Sequence, residues 1–473
     1  MALRTLVDTE HGRDTLGDAD IADLARQFRG ELIGRHDPRY DAARSIWNGA
    51  IDRYPKLVAR CTGVADVIAA VRFARERELV VAVRGGGHNV AGTAVCDEGV
   101  VIDLSPMKGM WVDPSARTAR AQAGLLWGEF DRETQRFGLA TPGGIVTHTG
   151  IAGLTLGGGL GWLMRRHGLT CDNLLSADVV TADGELVRAS AEENADLFWG
   201  LRGGGGNFGI VTSFEYRLHP VGPTVLAGVL LHPAARAGEV LDFYRRYIAS
   251  APNELMSIVV LGMAPPAPFL PVEIHGQPVV IIATCYAGPV EEGEKAIAPL
   301  RRFGEPLADM IQPTTYLSHQ AMLDASVPHG LGYYWKSEYL PPLGDDLLST
   351  LVEHAWRAPT PACYTALFHL GGAVGREDPD GSAFEDRRAT HAMTIDGVWS
   401  EPNAGAACTA WVRGFWDAVR PHSTGRVYVN FLGDEGQDRV RAAYGAAKYE
   451  RLRALKRKYD PTNFFRMNQN IVP

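Results

Sequence analysis

Only six of the 473 residues are cysteine, Cys61, Cys96, Cys171, Cys285, Cys363 and Cys408, and no two form a Cys-x-x-Cys pair. That scatter argues against a zinc site and a disulfide framework and fits reduced thiols. Long hydrophobic runs are also missing. No stretch approaches 18 uncharged apolar residues, so no membrane-spanning helix is expected. Residues 1–23 carry charges throughout and have no apolar core, so no secretory signal is expected and a cytoplasmic location is. Positive charge is in deficit, with 47 Lys and Arg against 55 Asp and Glu, a net charge of −8. This balance disfavours nucleic acid or an anionic membrane as a main partner. There is no His-Glu-x-x-His helix and no phosphate loop ending in Gly-Lys-Ser/Thr. With 46 % hydrophobic and 22 % charged residues, the chain is globular and long enough for two or three domains.

Glycine is what the chain has in excess, 53 residues, where an average chain of this length has roughly 7 %. The runs crowd before residue 210: Gly85–Gly87, Gly143–Gly144, Gly150 to Gly161, and Gly203–Gly209. Around them the periodicity predicts a helix over 64–78, a buried strand over 79–83, strands at 100–104 and 119–123, and a helix over 125–137. Asp183-Gly184 between two apolar runs predicts a hairpin. Beyond residue 222, strands at 225–231, 258–261, 279–285, 333–339 and 364–370 alternate irregularly with helices at 235–249, 345–356 and 406–419, which reads as an antiparallel α+β domain. The tail over 436–458 reads as a basic, solvated amphipathic helix.

Gly204 to Gly209 matches the form of a dinucleotide fingerprint, but that motif requires a helix after it. The following residues, 210–218, alternate like a strand, so the Rossmann reading fails. Bare backbone still suits anion contact, because consecutive glycines bring N–H groups close to a ligand and take positive φ without strain. Three runs within 125 residues imply a long ligand, of dinucleotide size and pyrophosphate charge. His88 closes the first run directly after a buried strand, where a neutral imidazole can act as a nucleophile.

Arg84-Gly85-Gly86-Gly87-His88-Asn89, Thr141 to Gly144, Thr149 to Gly161, Gly168 to Asn173, Leu201 to Val211 and Tyr459 to Asn470 occur in an order and spacing that resembles the vanillyl-alcohol-oxidase-type flavoproteins, in their berberine-bridge-enzyme-like branch. The resemblance implies an α+β fold: a two-subdomain PCMH-type FAD-binding domain (1–221 and 430–473, core about 47–221) and a substrate domain (222–429) with an antiparallel sheet covered by helices. It implies FAD as cofactor, joined at its 8α-methyl to His88. Arg84 to Asn89 would wrap the pyrophosphate, and Thr149, Gly150, Gly153, Gly157, Gly158 and Gly161 would lie against the flavin. Ile210 and Val211 would hold the adenine side, and Asn468 and Asn470 would close over the rings. Many relatives add a second, cysteinyl bond; Val146 stands at that place here, so a single link is expected, as in the bacterial 6-hydroxynicotine oxidases.

By the same resemblance, Tyr428 on a strand-like 427–431 segment is the expected catalytic base, provided that its pKa is lowered, and His369 is its expected partner. Nicotine-oxidising relatives carry a lysine and a glutamate where Ala366 and Phe368 stand here. Tyr333, Tyr334, Trp335 and Lys336 form an aromatic cluster suited to a flat substrate. Thr149, small and beside the flavin, favours oxygen as acceptor. The implied function is an FAD-dependent oxidase acting on a CH–OH or CH–N group of a small molecule, as a monomer or homodimer. The alternatives are a dehydrogenase or natural-product tailoring enzyme, or an idle flavin-binding protein.

Overall fold

The computed structural model describes residues 16–266 and 270–473. The first 15 residues, most of the segment in which no secretory signal was expected, lie outside the described part. The first sheet contains β1 (Glu31–Gly34), β2 (Leu57–Arg60), β3 (Val81–Arg84) and β4 (Val100–Asp103) in the order β1-β2-β4-β3, with β2, β4 and β3 parallel. Helix α1 (Val64–Glu76) makes the crossover from β2 to β3 and buries Val67, Ala70, Val71 and Ala74, the apolar side of its helical repeat. The second sheet is antiparallel: β5 (Met110–Asp113), β6 (Thr118–Gln122), β7 (Leu174–Val180), β8 (Leu186–Ser190) and β9 (Ile210–Arg217), in the order β5-β6-β9-β7-β8. The hairpin at Asp183-Gly184 joins β7 to β8, with Gly184 at φ +72°. Between β6 and β7 lie α2 (Trp127–Thr134) and α3 (Ile151–Leu156). The first half of the run over 150–161 is therefore a short helix, and the run is not a loop throughout.

The third sheet has eight strands among the described residues. They are β10 (Thr224–Pro233), β11 (Leu255–Met263), β12 (Pro278–Tyr286), β13 (Ala308–Asp309), β14 (Gln312–Thr315), β15 (Gly332–Leu340), β16 (Tyr364–His369) and β17 (His391–Trp399). The order is β13-β10-β12-β11-β16-β17-β15, and β14 also pairs with β10. Every pairing is antiparallel, as the irregular alternation of strands and helices predicted. Four helices, α4 (Ala237–Ile248), α5 (Val290–Arg302), α6 (Asp345–Ala355) and α7 (Gly405–Val419), cover one face. Their apolar stripes meet Leu230, Val259, Ile282, Leu367 and Ile395 in one core. Because side chains alternate across a strand, the residues between these point to the other face, toward the glycine-rich half. The sequence reading missed β13, β14, β17 and α5.

Helix α8 (Gln437–Tyr459) returns the chain to the first core, where Tyr444, Leu452 and Leu455 are buried. Its basic residues are not all solvated. Lys456 is fully buried, its Nζ donating to Asp460 Oδ2 at 2.7 Å, Asn207 O at 2.8 Å and Phe465 O at 2.9 Å. Lys448 is buried as well, against Phe384 O and Pro379 O. A second tie joins the halves far from this tail. Asn48 donates to Tyr333 O at 2.9 Å and accepts from Tyr333 N at 3.0 Å, while Gly49 N donates to Leu331 O at 2.7 Å.

Candidate active site

Between the glycine runs and the inner face of the third sheet lies a cavity of about 1400 Å³. Single small-ligand pockets usually span about 300–1,000 Å³, so this one has room for a long ligand and a second molecule. One wall is backbone: Gly85 to Asn89 after β3, Thr149 to Gly153 entering α3, and Gly205 to Asn207 before β9. The facing wall is sheet: Val229, Ile281, Val260, Ala366 and Phe368. Among the described lining residues there is no lysine, arginine or glutamate, and Asp396 is the one carboxylate.

The glycines divide into two kinds. A methyl on Gly86 would overlap Gly150 N, and one on Gly161 would overlap Gly143 O, so these two let backbones cross. Gly157 and Gly158 are filled in by Asn430 and Phe384 and do not line the cavity. Gly153 and Gly206 do line it, and a methyl on either would meet nothing within 4 Å. Their bareness widens the cavity itself.

His88 sits at one end. Its Nε2 lies 3.0 Å from His148 Nδ1, and its ring stacks with Trp47 at 4.3 Å between centroids. Burial, with the neighbouring His148 and His329, lowers its pKa from 6.5 to about 3. It is therefore neutral at pH 7. Trp47 also stacks with Tyr333 at 3.8 Å and reaches Trp335 at 5.7 Å. Trp335 meets Phe431 edge-on at 6.0 Å, and Phe431 meets Tyr428 at 4.9 Å. A continuous aromatic wall thus runs from His88 to Tyr428.

The structure brings His88, Asn89, Thr149, Gly150, Gly153, Ile210, Val211, Tyr428 and Asn468 to this cavity, together with Gly85, Gly86 and Gly87. Others go elsewhere. Arg84 turns away to pair with Asp103 Oδ2 at 2.7 Å and to Ser45 O at 3.3 Å. Asn470 does not line the cavity; its carbonyl accepts from Gln437 Nε2. His369 lies on the opposite face of β16, beside Arg165 Nη1 at 2.9 Å, because β16 alternates Phe368 inward and His369 outward. The aromatic cluster splits by the same alternation. Tyr333 and Trp335 face inward, whereas Lys336 pairs with Glu435 and Tyr334 packs with Arg413.

The 427–431 segment is not a strand. Val429–Phe431 is a single 3-10 turn, in which Asn430 Nδ2 spans Leu154 O at 3.0 Å and Tyr428 Oη at 2.8 Å. The side-chain bonds of Asn430 override the strand preference of its β-branched neighbours. Tyr428 is 2 % exposed, and its oxygen also accepts from Gly159 N at 2.8 Å. Burial outweighs these donors and pushes its pKa above the usual 10, the reverse of the lowering that base chemistry requires. The sequence reading also passed over His148 and Asp396. Neither sits in a motif; register brings Asp396 to the cavity lining, and folding brings His148 beside His88.

A flavin adenine dinucleotide fits this lining. The trough is long, and bare backbone at Gly153 and Gly206 leaves space that a side chain would fill. No cationic side chain lines it, so a pyrophosphate would be held by main-chain N–H groups, as glycine-rich loops do. Asn468 keeps Oδ1 unpartnered at the lining, while its Nδ2 donates to Gly206 O and Phe465 O.

Fold and site together define an FAD-dependent oxidoreductase. Residues 55–190 match the family model described as FAD binding domain, and 427–472 match the model described as berberine and berberine like. The chain is 34 % identical over 431 residues to an FAD-linked oxidoreductase of Dictyostelium discoideum, covering 90 % of this chain and 91 % of that one. It is 31 % identical over 468 residues to (R)-6-hydroxynicotine oxidase of Paenarthrobacter nicotinovorans, covering 94 % and 97 %. The crystal structure of 6-hydroxy-D-nicotine oxidase from Arthrobacter nicotinovorans superposes with a TM-score of 0.86 at 28 % identity, over 94 % of this chain and 98 % of that one. The chain belongs to the berberine-bridge-enzyme-like FAD-linked oxidoreductases.

Proposed function

We propose that the protein is an oxidase that removes hydride from a CH–OH or CH–N group of a small molecule and passes the electrons to oxygen, giving hydrogen peroxide. The observation that carries this reading is a neutral, half-buried His88 at the glycine-lined end of a cavity large enough for a dinucleotide and a substrate. FAD, when bound, supplies the two-electron acceptor. His88 offers an unprotonated ring nitrogen for a single covalent bond to it, and its stacking on Trp47 fixes the ring plane. Val146, which lines the cavity where a second, thiol link would be needed, offers none. Phe368, Phe431 and Trp335 keep the substrate side apolar and exclude water. Tyr428 accepts from Gly159 and Asn430, so its own proton is left to donate toward a bound molecule. Thr149 lines the same end and leaves space for oxygen. The two domains meet at this cavity, with 1–221 and 430–473 holding FAD and 222–429 holding the substrate.

The purified protein is expected to be yellow and to keep its colour through acid precipitation, and His88→Ala to lose the acid-stable colour. A panel of sugars, secondary alcohols, benzyl alcohol and cyclic amines then reads function, by anaerobic bleaching of the flavin and by peroxide release in air. Easily dialysed flavin in the wild type would sink the covalent claim; bleaching without peroxide would replace oxygen with another acceptor.

A further inference from the structure

The inner faces of β16, β11, β12 and β10 carry two apolar rows. In register, Phe368, Ile258, Ala283 and Val229 make the first, one residue from each strand in that order. Ala366, Val260, Ile281 and Leu231 make the second. All eight line the cavity, and none has a hydrogen-bonding side chain. Polar side chains gather at the ends instead: Tyr364, Thr394 and Asp396 on β16 and β17, and Gln312 and Thr314 on β14. Ile145, Leu160, Met322 and Leu323 also line the cavity and belong to the same apolar cluster as the first row. Val229, Val260 and Ile281 stay part-exposed, although each sits on a strand paired on both sides and helices bury the opposite face. Covering such surface is favourable in proportion to its area. Phe368 meets Phe431 at 5.4 Å, so the rows start at the aromatic wall that leads to Tyr428 and His88. From β16 to β10 they run about 14 Å, three strand spacings of about 4.8 Å each.

We propose that the substrate is an alcohol or amine with a long apolar body that lies along these rows, its reacting carbon at the Phe431 end. The inference rests on the flavin reading of the cavity and narrows its substrate class. A saturated chain advances about 1.25 Å per carbon, from bonds of about 1.5 Å near the tetrahedral angle, so the rows hold about eleven carbons. The two rows stand two residues apart along each strand, about 7 Å, a width that admits one chain or a flat fused-ring body. A sugar suits this surface poorly. It carries a hydroxyl on nearly every carbon, and those turned to the rows would be buried without partners. A compact amine of one or two rings would leave the β12 and β10 end uncovered. Met263, Met310 and Met322 line the cavity as well, and flexible thioethers adapt to an irregular apolar body.

The test titrates the holoprotein, without oxygen, with straight-chain primary alcohols from butanol to dodecanol, each below its solubility limit. The readout is the change in the flavin absorption spectrum. Each added methylene should tighten half-saturation about fourfold, the equivalent of about 0.8 kcal/mol. Decanol should therefore bind roughly 1,000-fold or more tightly than butanol, with the gain levelling off near the eleventh carbon. Ile281→Trp puts bulk two strand spacings along the rows and should move that levelling point to about eight carbons. Ile281→Ser adds a hydroxyl without bulk, which guards against a misfolded tryptophan variant, and should cut the decanol-to-butanol ratio at least tenfold. In a yellow protein, half-saturation varying less than threefold from butanol to decanol overturns the inference while leaving the flavin reading standing. So does a levelling point unmoved in Ile281→Trp, a ratio unmoved in Ile281→Ser, or tighter binding of maltose than of decanol. A protein that purifies without flavin overturns both.

Discussion

Two glycine-to-alanine changes, each adding one methyl group, should have opposite consequences. At Gly86 the new methyl would overlap Gly150 N and lie 2.7 Å from Gly150 Cα, backbone against backbone with no flexible side chain to yield. Overpacking of this kind costs about 1–3 kcal/mol or more. Gly86→Ala should therefore lower the thermal midpoint of the apoprotein by several degrees. At Gly153, inside α3, the methyl meets no atom within 4 Å. Replacing a helical glycine by alanine gains about 0.5–1 kcal/mol, so the Gly153→Ala apoprotein should be as stable as wild type or slightly more so. Its methyl enters the space that the cofactor needs. A misfit of about 1–3 kcal/mol corresponds to roughly 5- to 150-fold weaker flavin binding. The assay is paired: thermal unfolding of the flavin-free proteins, and acid-stable flavin per mole after expression with limiting riboflavin. Full flavin loading of Gly153→Ala would refute the argument that this glycine is bare for a ligand. A Gly86→Ala protein as stable as wild type would refute the crossing of the two runs.

Other perturbations act through burial. Lys456→Met strands Asp460 as a buried charge and should cost about 3–5 kcal/mol; adding Asp460→Asn should recover part of the loss, and an unchanged urea midpoint for the single variant would contradict the pairing. Acid should destabilise the fold well above the usual carboxylate range. His167, His319 and His391 are held at about 3 by burial, below the unfolded 6.5, so their contribution is complete above pH 6.5 and is lost as pH falls toward 3. Asp131 and Asp396, raised to about 7, act in the opposite sense between 7 and 3.8. With His88 and His219 held low in the same way, the histidines outnumber the two carboxylates, so stability falls as pH drops below 6, and a urea midpoint that rises on acidification from pH 6 to 4.5 would be inconsistent with it. Tyr428→Phe removes the acceptor for Gly159 N and Asn430 and should slow anaerobic bleaching of the flavin modestly.

Five of the eight strands of the third sheet, β10, β11, β12, β15 and β16, were readable because they are apolar, β-branched or aromatic runs buried on both faces. The His88 end was readable because close backbone approach demands glycine, and runs of glycine are visible in one dimension. The Asp396 end was not. Its strand follows a charged loop, its carboxyl sits in no motif, and its place on the lining arises from the register of β15, β16 and β17. His369 shows the converse: adjacent in sequence to a cavity residue, it is one alternation away from the cavity. The turn at 429–431 escaped because Val427, Val429 and Phe431 favour a strand while Asn430, through its side-chain bonds, bends the chain. Lys456 escaped because a buried lysine and a solvated one look alike until their partners are known.

The ties described between the halves have a temporal side. Asn48 waits for Tyr333, and Gly206 waits for Asn468, before the cavity is walled on all sides. About 380 residues separate His88 from Asn468; at a synthesis rate of about 5–20 residues per second, that is roughly 20–80 s on the ribosome. His88 therefore emerges early, into a half-built cleft open to solvent. A cofactor captured during translation would meet His88 without Trp335, Phe431 or Asn468 around it. The cavity is complete only once residue 468 is in place, and a chain truncated before α8 should emerge colourless.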